Sequence, residues 1–361
     1  MKIEILSGSE NFWQYFKKDL KKTKDKLYIE TFSFEADETG KILFEEIKNS
    51  GVADIKMIVD NFVKYMISDK FLYTPGNYFN KELQKESKDT YQTVKDIRAM
   101  GGEVRYVNPV GFLLRKFFAR NHKKLVIMGN NIAYIGGINF CDHNFYWHDM
   151  MLRIEDENIV KTLTEDFMLT WDNKSKSSMA SFDALDLIFT SGTDNEERWK
   201  SVRSLMDNAK QSIFIESPYL SFPFYDNLIE AKKRGVEVTI VAPDKNNFGI
   251  IRKYTTYMCR KYGFNLQLYT EKMTHLKAML IDDEYLIAGS SNFDYFSFRL
   301  YHEIIAVIKD EKVVRDFIKR IQQPDLEKSR PSDDKINMFT GRINRFVIEA
   351  TGKILATLGK L

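Results

Sequence analysis

The chain has 361 residues, of which 43% are hydrophobic and 29% are charged, and its formal net charge is +3. This composition is typical of a soluble globular protein, and it excludes both a disordered chain and a strongly basic protein that binds nucleic acid through its global charge. The cysteines Cys141 and Cys259 predict no disulfide framework and suit a reducing compartment. No apolar run approaches the ~18–20 residues of a membrane span, so any membrane contact is expected to be peripheral.

The chain begins with MKIEILSGSENFW, which predicts a strand and a polar turn and contains no apolar core of signal-peptide length. Two later stretches, residues 26–60 and 212–243, resemble each other. Each predicts a strand, an amphipathic helix and a second strand, because apolar residues recur at helical spacing between two β-rich runs. Gly51 and Gly235 are expected to end the two helices. We therefore predict two related α/β halves.

The rest of the chain divides around these stretches. Residues 1–173 are expected to form an N-terminal half, with an extra polar and aromatic segment at 61–95, and residues 187–321 a C-terminal half. The polar stretch 174–186 predicts a linker between them. Residues 322–361 predict a second polar linker and a basic amphipathic C-terminal helix.

Each predicted half contains a His-x-Lys pair at the start of an apolar run: His122 and Lys124 in NHKKLVIM, and His275 and Lys277 in THLKAMLI. If these runs are strands, the alternation of side chains directs the imidazole and the ammonium of each pair to one face. Two such pairs suit a phosphate diester. One histidine attacks phosphorus, the other protonates the leaving oxygen, and the lysines hold the nonbridging oxygens. The resulting phosphohistidine passes its phosphoryl group to water or an alcohol.

One His-x-Lys pair alone would predict no more than the exposed end of a strand. Here both pairs are followed at the same offset by Gly-Gly-x-Asn or Gly-Ser-x-Asn, which adds Asn139, Ser291 and Asn292 to the candidate catalytic residues. Asp149 and Glu303 follow at matching positions, each before an apolar run. A carboxylate that binds the second ring nitrogen of a histidine holds the ring in place, and we expect this orienting role for both acids.

These motifs resemble those of the phospholipase D superfamily, whose signature is His-x-Lys-x4-Asp followed by Gly-(Gly/Ser)-x-Asn, twice in a chain. The strings RNHKKLVI, AYIGGINF, ESPYL, RGVEV and GSSNFDYFSFRL are similar to the bacterial cardiolipin synthase branch. The resemblance implies an α/β fold of two similar α/β/α sandwich halves, with the active site at their pseudo-twofold interface. It also implies that His122 is the nucleophile and that His275 is the general acid and then the general base.

The first motif departs from this signature at Gly129, where the family has aspartate, whereas the second motif keeps Asp282. Both positions have the opposite strand parity from their histidines, so such an aspartate points away from the catalytic face and supports a turn or orients neighbouring groups. The residues Gly-Asn-Asn at 129–131 favour a tight turn. We therefore expect the first motif to remain active and Gly129→Asp to change activity only modestly.

The stretch GFLLRKFFARNHKK at 111–124 mixes cations with large apolar residues, and the C-terminal segment repeats this mixture at helical spacing. The pattern favours an anionic membrane surface. A nuclease would use the same cations for phosphates and the rings for stacking, and an amphipathic helix packed on the domain would show the same pattern. The predicted membrane-binding residues are Leu113, Leu114, Arg115, Lys116, Phe117, Phe118, Arg342, Arg345 and Phe346.

These features predict a peripheral enzyme on the cytoplasmic side of the cell membrane that transfers phosphatidyl groups through a phosphohistidine. By resemblance, the reaction is cardiolipin synthesis from phosphatidylglycerol and a second phospholipid. The alternatives are a hydrolytic phospholipase D, a phosphodiester nuclease and a non-catalytic lipid-binding scaffold. Anionic phospholipid is the expected partner, nucleic acid is not expected, and a monomer suffices because one chain carries both motifs. His143 and His148 near Asp142 and Asp149 form only a weak ligand pattern, so neither a metal nor another cofactor is predicted.

Overall fold

The computed structural model of the protein describes residues 1–112 and 116–359. It divides into two compact units, Met1–Lys176 and Ser177–Leu361. Each unit is built on one large mixed β-sheet against which its helices pack, and each has its own apolar core. The chain is therefore organised as the predicted pair of α/β halves.

The first unit begins at the amino terminus and contains the first histidine motif. Its strands are β1 Lys2–Ser7, β2 Lys26–Thr31, β3 Asp54–Asp60, β4 Met66–Ile67, β5 Lys70–Phe71, β6 Glu103–Val107, β7 Leu125–Met128, β8 Ile132–Gly136 and β9 Met150–Glu155. Its helices are α1 Ser9–Leu20, α2 Glu38–Ser50, α3 Pro75–Tyr78, α4 Lys81–Ala99, α5 Asp142–Tyr146 and α6 Glu157–Trp171, with a 3₁₀ helix at Asn61–Lys64.

The second unit contains the second histidine motif. Its strands are β10 Ser178–Phe182, β11 Leu185–Ser191, β12 Ser212–Glu216, β13 Glu237–Pro243, β14 Asn265–Tyr269, β15 Ala278–Ile281, β16 Tyr285–Gly289, β17 His302–Ile308 and β18 Ser329–Pro331. Its helices are α7 Asn195–Arg198, α8 Lys200–Asn208, α9 Phe224–Lys233, α10 Gly249–Tyr262, α11 Tyr295–Arg299, α12 Glu311–Phe317, α13 Gln323–Glu327 and α14 Met338–Gly359, with a π-helix at Ile318–Gln322.

The two sheets share one topology. The first is a seven-stranded sheet in the order β1-β9-β8-β7-β2-β3-β6, and the second is a nine-stranded sheet in the order β10-β11-β17-β16-β15-β12-β13-β14-β18. Without the edge strands β10 and β18, the second order repeats the first strand for strand. The β-α-β units predicted from the sequence supply the parallel pairs β2–β3 and β12–β13. Each histidine motif leads into the antiparallel neighbour of that pair, β7 beside β2 and β15 beside β12.

The predicted helix ends are confirmed. The Asp37 carboxylate caps α2 by accepting a hydrogen bond from the Gly40 N–H at 3.0 Å. The helix stops at Gly51, whose φ of 65° is a left-handed conformation that glycine adopts without a steric penalty. Gly235, with φ of 92°, follows the end of α9 in the same way.

Two predicted linkers contain regular structure. Residues 178–182 of the predicted linker 174–186 form β10, which pairs with β11, and the boundary between the units lies at Lys176–Ser177. In the polar stretch after residue 321, Gln323–Glu327 is helical and Ser329–Pro331 pairs with β14. Both strands lie at an edge of the sheet, where polar side chains remain exposed, and this is why their composition suggested linkers.

Candidate active site

The two His-x-Lys pairs occupy equivalent places, directly before β7 and β15. The strands begin at Leu125 and Ala278, so the catalytic side chains lie in the approach to each strand and not on its alternating face, where the sequence had placed them. Their side chains are nevertheless buried: relative exposure is 6% for His122 and 5% for His275. A buried imidazole has a protonation state that its immediate partners control.

Each lysine folds back onto its own histidine. The Lys124 ammonium donates to the His122 carbonyl oxygen at 2.7 Å. The Lys277 ammonium donates to the His275 carbonyl oxygen and contacts His275 Nδ1 at 2.8 Å. Each unit therefore places the lysine ammonium beside its own histidine, against the backbone carbonyl in the first unit and against both the carbonyl and the ring in the second. Binding of an anionic oxygen by these groups stays a prediction.

Aromatic rings pack edge-on against both imidazoles. The centroid of the Phe32 ring lies 5.2 Å from that of His122, and the Tyr219 ring lies 6.3 Å from that of His275. Phe32 also lies beneath the Lys124 ammonium, which is 5.4 Å from the ring centroid. Phe32 follows the end of β2, which pairs with β7, and Tyr219 follows the end of β12, which pairs with β15. The βαβ unit of each half therefore helps to position its histidine motif.

The Gly-Gly and Gly-Ser motifs lie against the predicted orienting carboxylates. A Cβ atom added to Gly137 would come within 2.2 Å of Asp149 Oδ1, so only glycine leaves room for this buried carboxylate. In the second unit the equivalent Ser290 donates to Glu303 Oε2 at 2.5 Å, and Ser297 donates to Glu303 Oε1 at 2.9 Å. The packing thus couples the second residue of each motif to its acid, and the orienting role of Asp149 and Glu303 toward the histidines stays a prediction.

The asparagines of the two motifs differ in their contacts. Asn139 Oδ1 accepts from the Ser33 N–H at 3.2 Å and from the Thr31 hydroxyl at 3.3 Å, and its amide donates to Asn144. Asn292 Oδ1 is buried and has no hydrogen bond to any described residue. The Ser291 hydroxyl donates to the Asn292 carbonyl oxygen at 3.1 Å. Asn139 therefore anchors the local loops, whereas Asn292 retains an acceptor for another group.

Asp282 supports a turn, which is one of the two roles that the sequence analysis expected for it, and its orienting role stays a prediction. Its carboxylate accepts the backbone N–H groups of Gln211, Lys210 and Ser212 at 2.7, 2.8 and 2.9 Å, which ties the β15–β16 turn to the start of β12. Partial burial acts to raise the pKa of Asp282, but these three donors outweigh it and hold the pKa below its ordinary value. In the first unit, the Gly129 N–H donates to the Lys26 carbonyl oxygen at 3.0 Å, so the turn persists without a carboxylate.

Substituting Gly129→Asp is expected to lower the free energy of unfolding by about 1 kcal/mol and to leave activity within about threefold of wild type. The φ of Gly129 is 61°, and a Cβ there would lie 3.3 Å from Asp25 Oδ1, so the new carboxylate would face an existing one. Strand β7 separates this turn from His122. Urea unfolding and turnover measured on the same preparation test both expectations.

The second unit provides the matched control for this substitution. Gln211 occupies the position of Asp25, and Asp282 occupies that of Gly129. The double variant Asp25→Gln, Gly129→Asp should therefore recover the lost stability, because the repulsion between carboxylates is removed. Equal destabilisation in the single and double variants would contradict the charge explanation.

Buried ion pairs that the sequence analysis missed hold the residues around His122. Arg120 donates to Asp60 Oδ1 at 2.8 Å, and the Asn121 N–H donates to Asp60 Oδ2 at 2.6 Å. Burial raises the pKa of Asp60 to about 6, although the Arg120 guanidinium acts to lower it. The side chain of Asn121 donates to Glu30 at 2.8 Å. The sequence signal was an acid near the end of each of two predicted strands, Glu30 next to the end of β2 and Asp60 at the end of β3.

On the other side of His122, Lys123 Nζ donates to Asp166 Oδ2 at 2.5 Å and to the Thr170 hydroxyl at 3.3 Å, both on α6. Arg120 and Lys123 are each 1% exposed. These two cations therefore neutralise internal carboxylates and are not part of the basic lipid-binding stretch to which the sequence assigned them. Their role is to fix the backbone on both sides of His122.

The predicted membrane-binding residues before the first motif differ in their exposure to solvent. Leu113, Leu114 and Arg115 lie outside the described residues. Lys116 is exposed, and Phe117 is half-buried, with its ring 5.2 Å from those of Phe62 and Phe118. Phe112, which the prediction did not include, is 82% exposed.

The C-terminal helix α14 packs through small residues and exposes large ones. Gly341 contacts Tyr257, Gly352 lies against Phe222 and Tyr295, and Gly359 approaches Leu300. The exposed large apolar residues of the helix are Met338, Phe339, Ile343, Phe346, Val347, Ile354 and Leu358. Arg342 is exposed, whereas Arg345 donates to Glu349 at 2.7 Å and to the Tyr262 hydroxyl at 2.9 Å. No helix in the described residues is long and apolar enough to cross a membrane.

Comparisons with known sequences identify relatives across most of the chain. A protein-family model described as "Cardiolipin synthase, PLD-like domain" matches residues 16–171 and 202–324. Cardiolipin synthase 1 of Staphylococcus epidermidis is 27% identical over 93% of this chain and 70% of its own length. The major cardiolipin synthase of Bacillus subtilis is 25% identical over 89% of this chain and 68% of its own length.

Solved structures confirm the fold. A phosphatidylserine synthase from Haemophilus influenzae superposes with a TM-score of 0.73 at 14% identity, covering 98% of this chain and 93% of that chain. A polyphosphate kinase from Porphyromonas gingivalis superposes with a TM-score of 0.60 at 14% identity, covering 98% of this chain and 53% of that chain. The sequence and structure matches together confirm the predicted α/β fold and the predicted class of phosphatidyltransferase.

Proposed function

Because the chain belongs to the phospholipase D-like family of cardiolipin synthases, we propose that it joins two phospholipids into cardiolipin, with phosphatidylglycerol as the phosphatidyl donor and glycerol as the leaving alcohol. The observation that carries this proposal is the duplicated half-site. Each unit supplies one buried histidine whose backbone carbonyl oxygen accepts from the ammonium of the following motif lysine, at the same place in the same sheet topology. Transfer through a phosphohistidine needs two imidazoles with different roles and cations for the phosphate oxygens.

In the proposed reaction each half-site supplies one histidine and one lysine, the division of labour that the resemblance to the phospholipase D superfamily implies. The Nε2 lone pair of His122 attacks phosphorus, and the bond from phosphorus to the glycerol oxygen breaks. His275, as an imidazolium, gives its Nε2 proton to that oxygen, so glycerol leaves and His275 becomes neutral. His275 then removes a proton from the hydroxyl of the second phospholipid, which attacks the phosphohistidine and restores His122. Lys124 and Lys277 stabilise the charge on the nonbridging oxygens in both steps.

The contact at His275 Nδ1 depends on the protonation of the ring. A lysine ammonium has only donors, so the Lys277 ammonium at 2.8 Å fits a neutral His275 whose Nδ1 is an acceptor. To act as the general acid, His275 must instead be an imidazolium with a proton on each ring nitrogen, so in the proposed first step Lys277 leaves Nδ1 for a nonbridging phosphate oxygen. The assignment of His122 as the nucleophile comes from the resemblance of the motifs and is tested below.

We further propose that the chain attaches to a membrane surface on the cytoplasmic side, and helix α14 supports the attachment. An ordinary amphipathic helix buries its large apolar residues and exposes its polar face. Here glycines 341, 352 and 359 face the unit while Phe339 and Phe346, each 72% exposed, face outward beside the exposed Arg342. Exposed aromatic rings with neighbouring cations suit the headgroup region of an anionic bilayer, where the lipid substrates are found.

The double variant Phe339→Ser, Phe346→Ser is expected to weaken binding to phosphatidylglycerol liposomes at least about tenfold, because each ring buried in the bilayer contributes ~1.5–3 kcal/mol. Co-sedimentation across a range of lipid concentrations measures this. Substitution is preferable to deletion, since removing α14 would expose Tyr257, Phe222 and Leu300.

The control pair Tyr78→Ser, Phe79→Ser removes rings of the first unit that are 57% and 79% exposed. We expect this pair to leave liposome binding unchanged. Equal losses from both pairs, or no loss from the α14 pair, would contradict the assignment of α14.

The function is tested by incubating the chain with phosphatidylglycerol liposomes, and separately with single-stranded DNA, and identifying products by mass. Cardiolipin with equimolar glycerol is the expected result. Phosphatidic acid alone would replace the proposal with a hydrolytic phospholipase D, and cut DNA would replace it with a nuclease. No product from a folded, liposome-bound protein would favour a lipid-binding scaffold.

The identity of the nucleophile is tested with phosphatidylglycerol labelled in the phosphatidyl group. Denaturing the protein with detergent at mildly alkaline pH during turnover, which preserves the acid-labile phosphorus–nitrogen bond, should trap the label on a peptide containing His122. Label on the His275 peptide would reverse the two roles.

A further inference from the structure

A second cluster of reactive side chains lies in the first unit, separate from the His-x-Lys pair. It consists of Glu35, Cys141 and His143, which come from the loop after β2 and from the start of α5. Glu35 is 2% exposed and Cys141 is fully buried. One ligand atom from each of the three residues lies within 4.8 Å of the others. The sequence predicted no metal because Glu35 is remote in the chain from the weak pattern around His143.

We propose that Glu35, Cys141 and His143 bind a zinc ion, with Asp69 as the fourth ligand. Thiolate, imidazole and carboxylate are the ligand types that zinc uses, in tetrahedral geometry. Cys141 Sγ lies 3.8 Å from His143 Nε2, and Asp69 Oδ1 lies 3.6 Å from the same nitrogen. With bonds of about 2.3 Å to sulfur and 2.0 Å to nitrogen, a tetrahedral site separates these ligand atoms by roughly 3.5 Å.

The charges around this zinc cluster favour a cation. Asp37 and Glu86 place further carboxylate oxygens within 4.8 Å of one another and of Glu35. Ionised carboxylates this close repel one another strongly in a buried setting, and a divalent cation offsets the repulsion. The Glu35 carboxylate is held in place by the Ser68 N–H, at 3.2 Å from both of its oxygens, which leaves a lone pair on each for a metal.

The duplicated architecture supplies an internal comparison. The isolated bridges Phe34–Phe140 and Leu220–Phe293 align the two units, so Ser221, Asp294 and Phe296 occupy the positions of Glu35, Cys141 and His143. Asp294 caps α11 by accepting the Ser297 N–H at 2.8 Å. Cys141, at the start of α5, makes no such cap. The first unit therefore has a thiol where the second unit has a helix-capping carboxylate, and the proposed ligand role accounts for this difference.

Bound zinc would connect the extra segment at residues 61–95, which only the first unit has, to the rest of that unit. Asp69 lies in the turn between β4 and β5, within the extra segment that the sequence placed at residues 61–95. Cys141 follows two residues after Asn139, whose amide donates to Asn144 of α5. The ion would join the β4–β5 hairpin to the loop that carries the motif asparagine. It is a structural site, because the histidine chemistry proposed above takes place on other residues.

Cobalt substitution tests the site without using activity as the readout. The full chain, freed of metal with a chelator under reducing conditions, should bind one equivalent of Co²⁺ and gain a thiolate-to-cobalt absorption band in the near ultraviolet. Zn²⁺ should displace the cobalt and raise the unfolding temperature. Cys141→Ser should abolish the band, and His143→Phe and Glu35→Gln should each weaken Co²⁺ binding at least about tenfold.

Cys259→Ser is the control, because Cys259 is a buried free cysteine of the second unit and should leave the band intact. His143→Phe keeps the test decisive if Cys141→Ser does not fold, since phenylalanine is the residue at the equivalent position in the second unit. A folded wild-type chain without the band would overturn the proposal, as would a band that survives Cys141→Ser. Either result leaves the proposed phosphatidyl transfer untouched.

Discussion

Replacing His122 by alanine is expected to reduce phosphatidyl transfer by roughly 10³-fold or more, because the reaction loses the atom that bonds to phosphorus. The His122 ring is 6% exposed and packs against Phe32, so its removal should also cost some stability. Initial rates of cardiolipin formation from phosphatidylglycerol liposomes, measured on protein whose unfolding curve shows it is folded, give the size of the effect.

Comparison with His275→Ala separates the two histidines. Both variants should lose turnover, but only His122→Ala should fail to form the trapped phosphohistidine, because His275 acts through a proton. Turnover by His122→Ala at the wild-type rate would contradict the two-histidine mechanism. Retention of the trapped intermediate in His122→Ala would reverse the roles of the two residues.

The second large effect concerns Asp60. Asp60→Leu is expected to lower the free energy of unfolding by about 3–5 kcal/mol, because it leaves the buried Arg120 guanidinium without its carboxylate. It also removes the acceptor for the Asn121 N–H, so the backbone beside His122 loses its anchor. Urea unfolding measures the stability change, and the rate at saturating lipid measures displacement of His122.

A double variant that replaces both charged residues by apolar ones, as in the second unit, tests whether the loss of the ion pair causes the destabilisation. Pro243 and Met273 occupy the positions of Asp60 and Arg120 there, so the same fold tolerates apolar residues at both. Asp60→Leu with Arg120→Met should recover a substantial part of the lost stability, because no buried charge is left unpaired. A double variant as unstable as Asp60→Leu would show that the ion pair is not the source of the effect.

Local features of the sequence were sufficient for the repeat, the helix ends and the motif positions. The strand-helix-strand units, the stops at Gly51 and Gly235 and the two His-x-Lys pairs all depend on residues close together in the chain. Periodicity, turn preference and motif spacing report such short-range constraints directly. The duplicated topology followed because two copies of one pattern fold into one sheet order.

Contacts between distant residues had to come from the tertiary structure. The cations of 111–124 looked like one lipid-binding stretch, yet Arg120 and Lys123 turn inward to Asp60 and Asp166. Helix α14 was predicted as an amphipathic helix, but which of its sides faces the protein depended on glycines fitting against rings such as that of Tyr257. Burial and charge pairing are set by partners far away in the chain, and no local pattern encodes those partners.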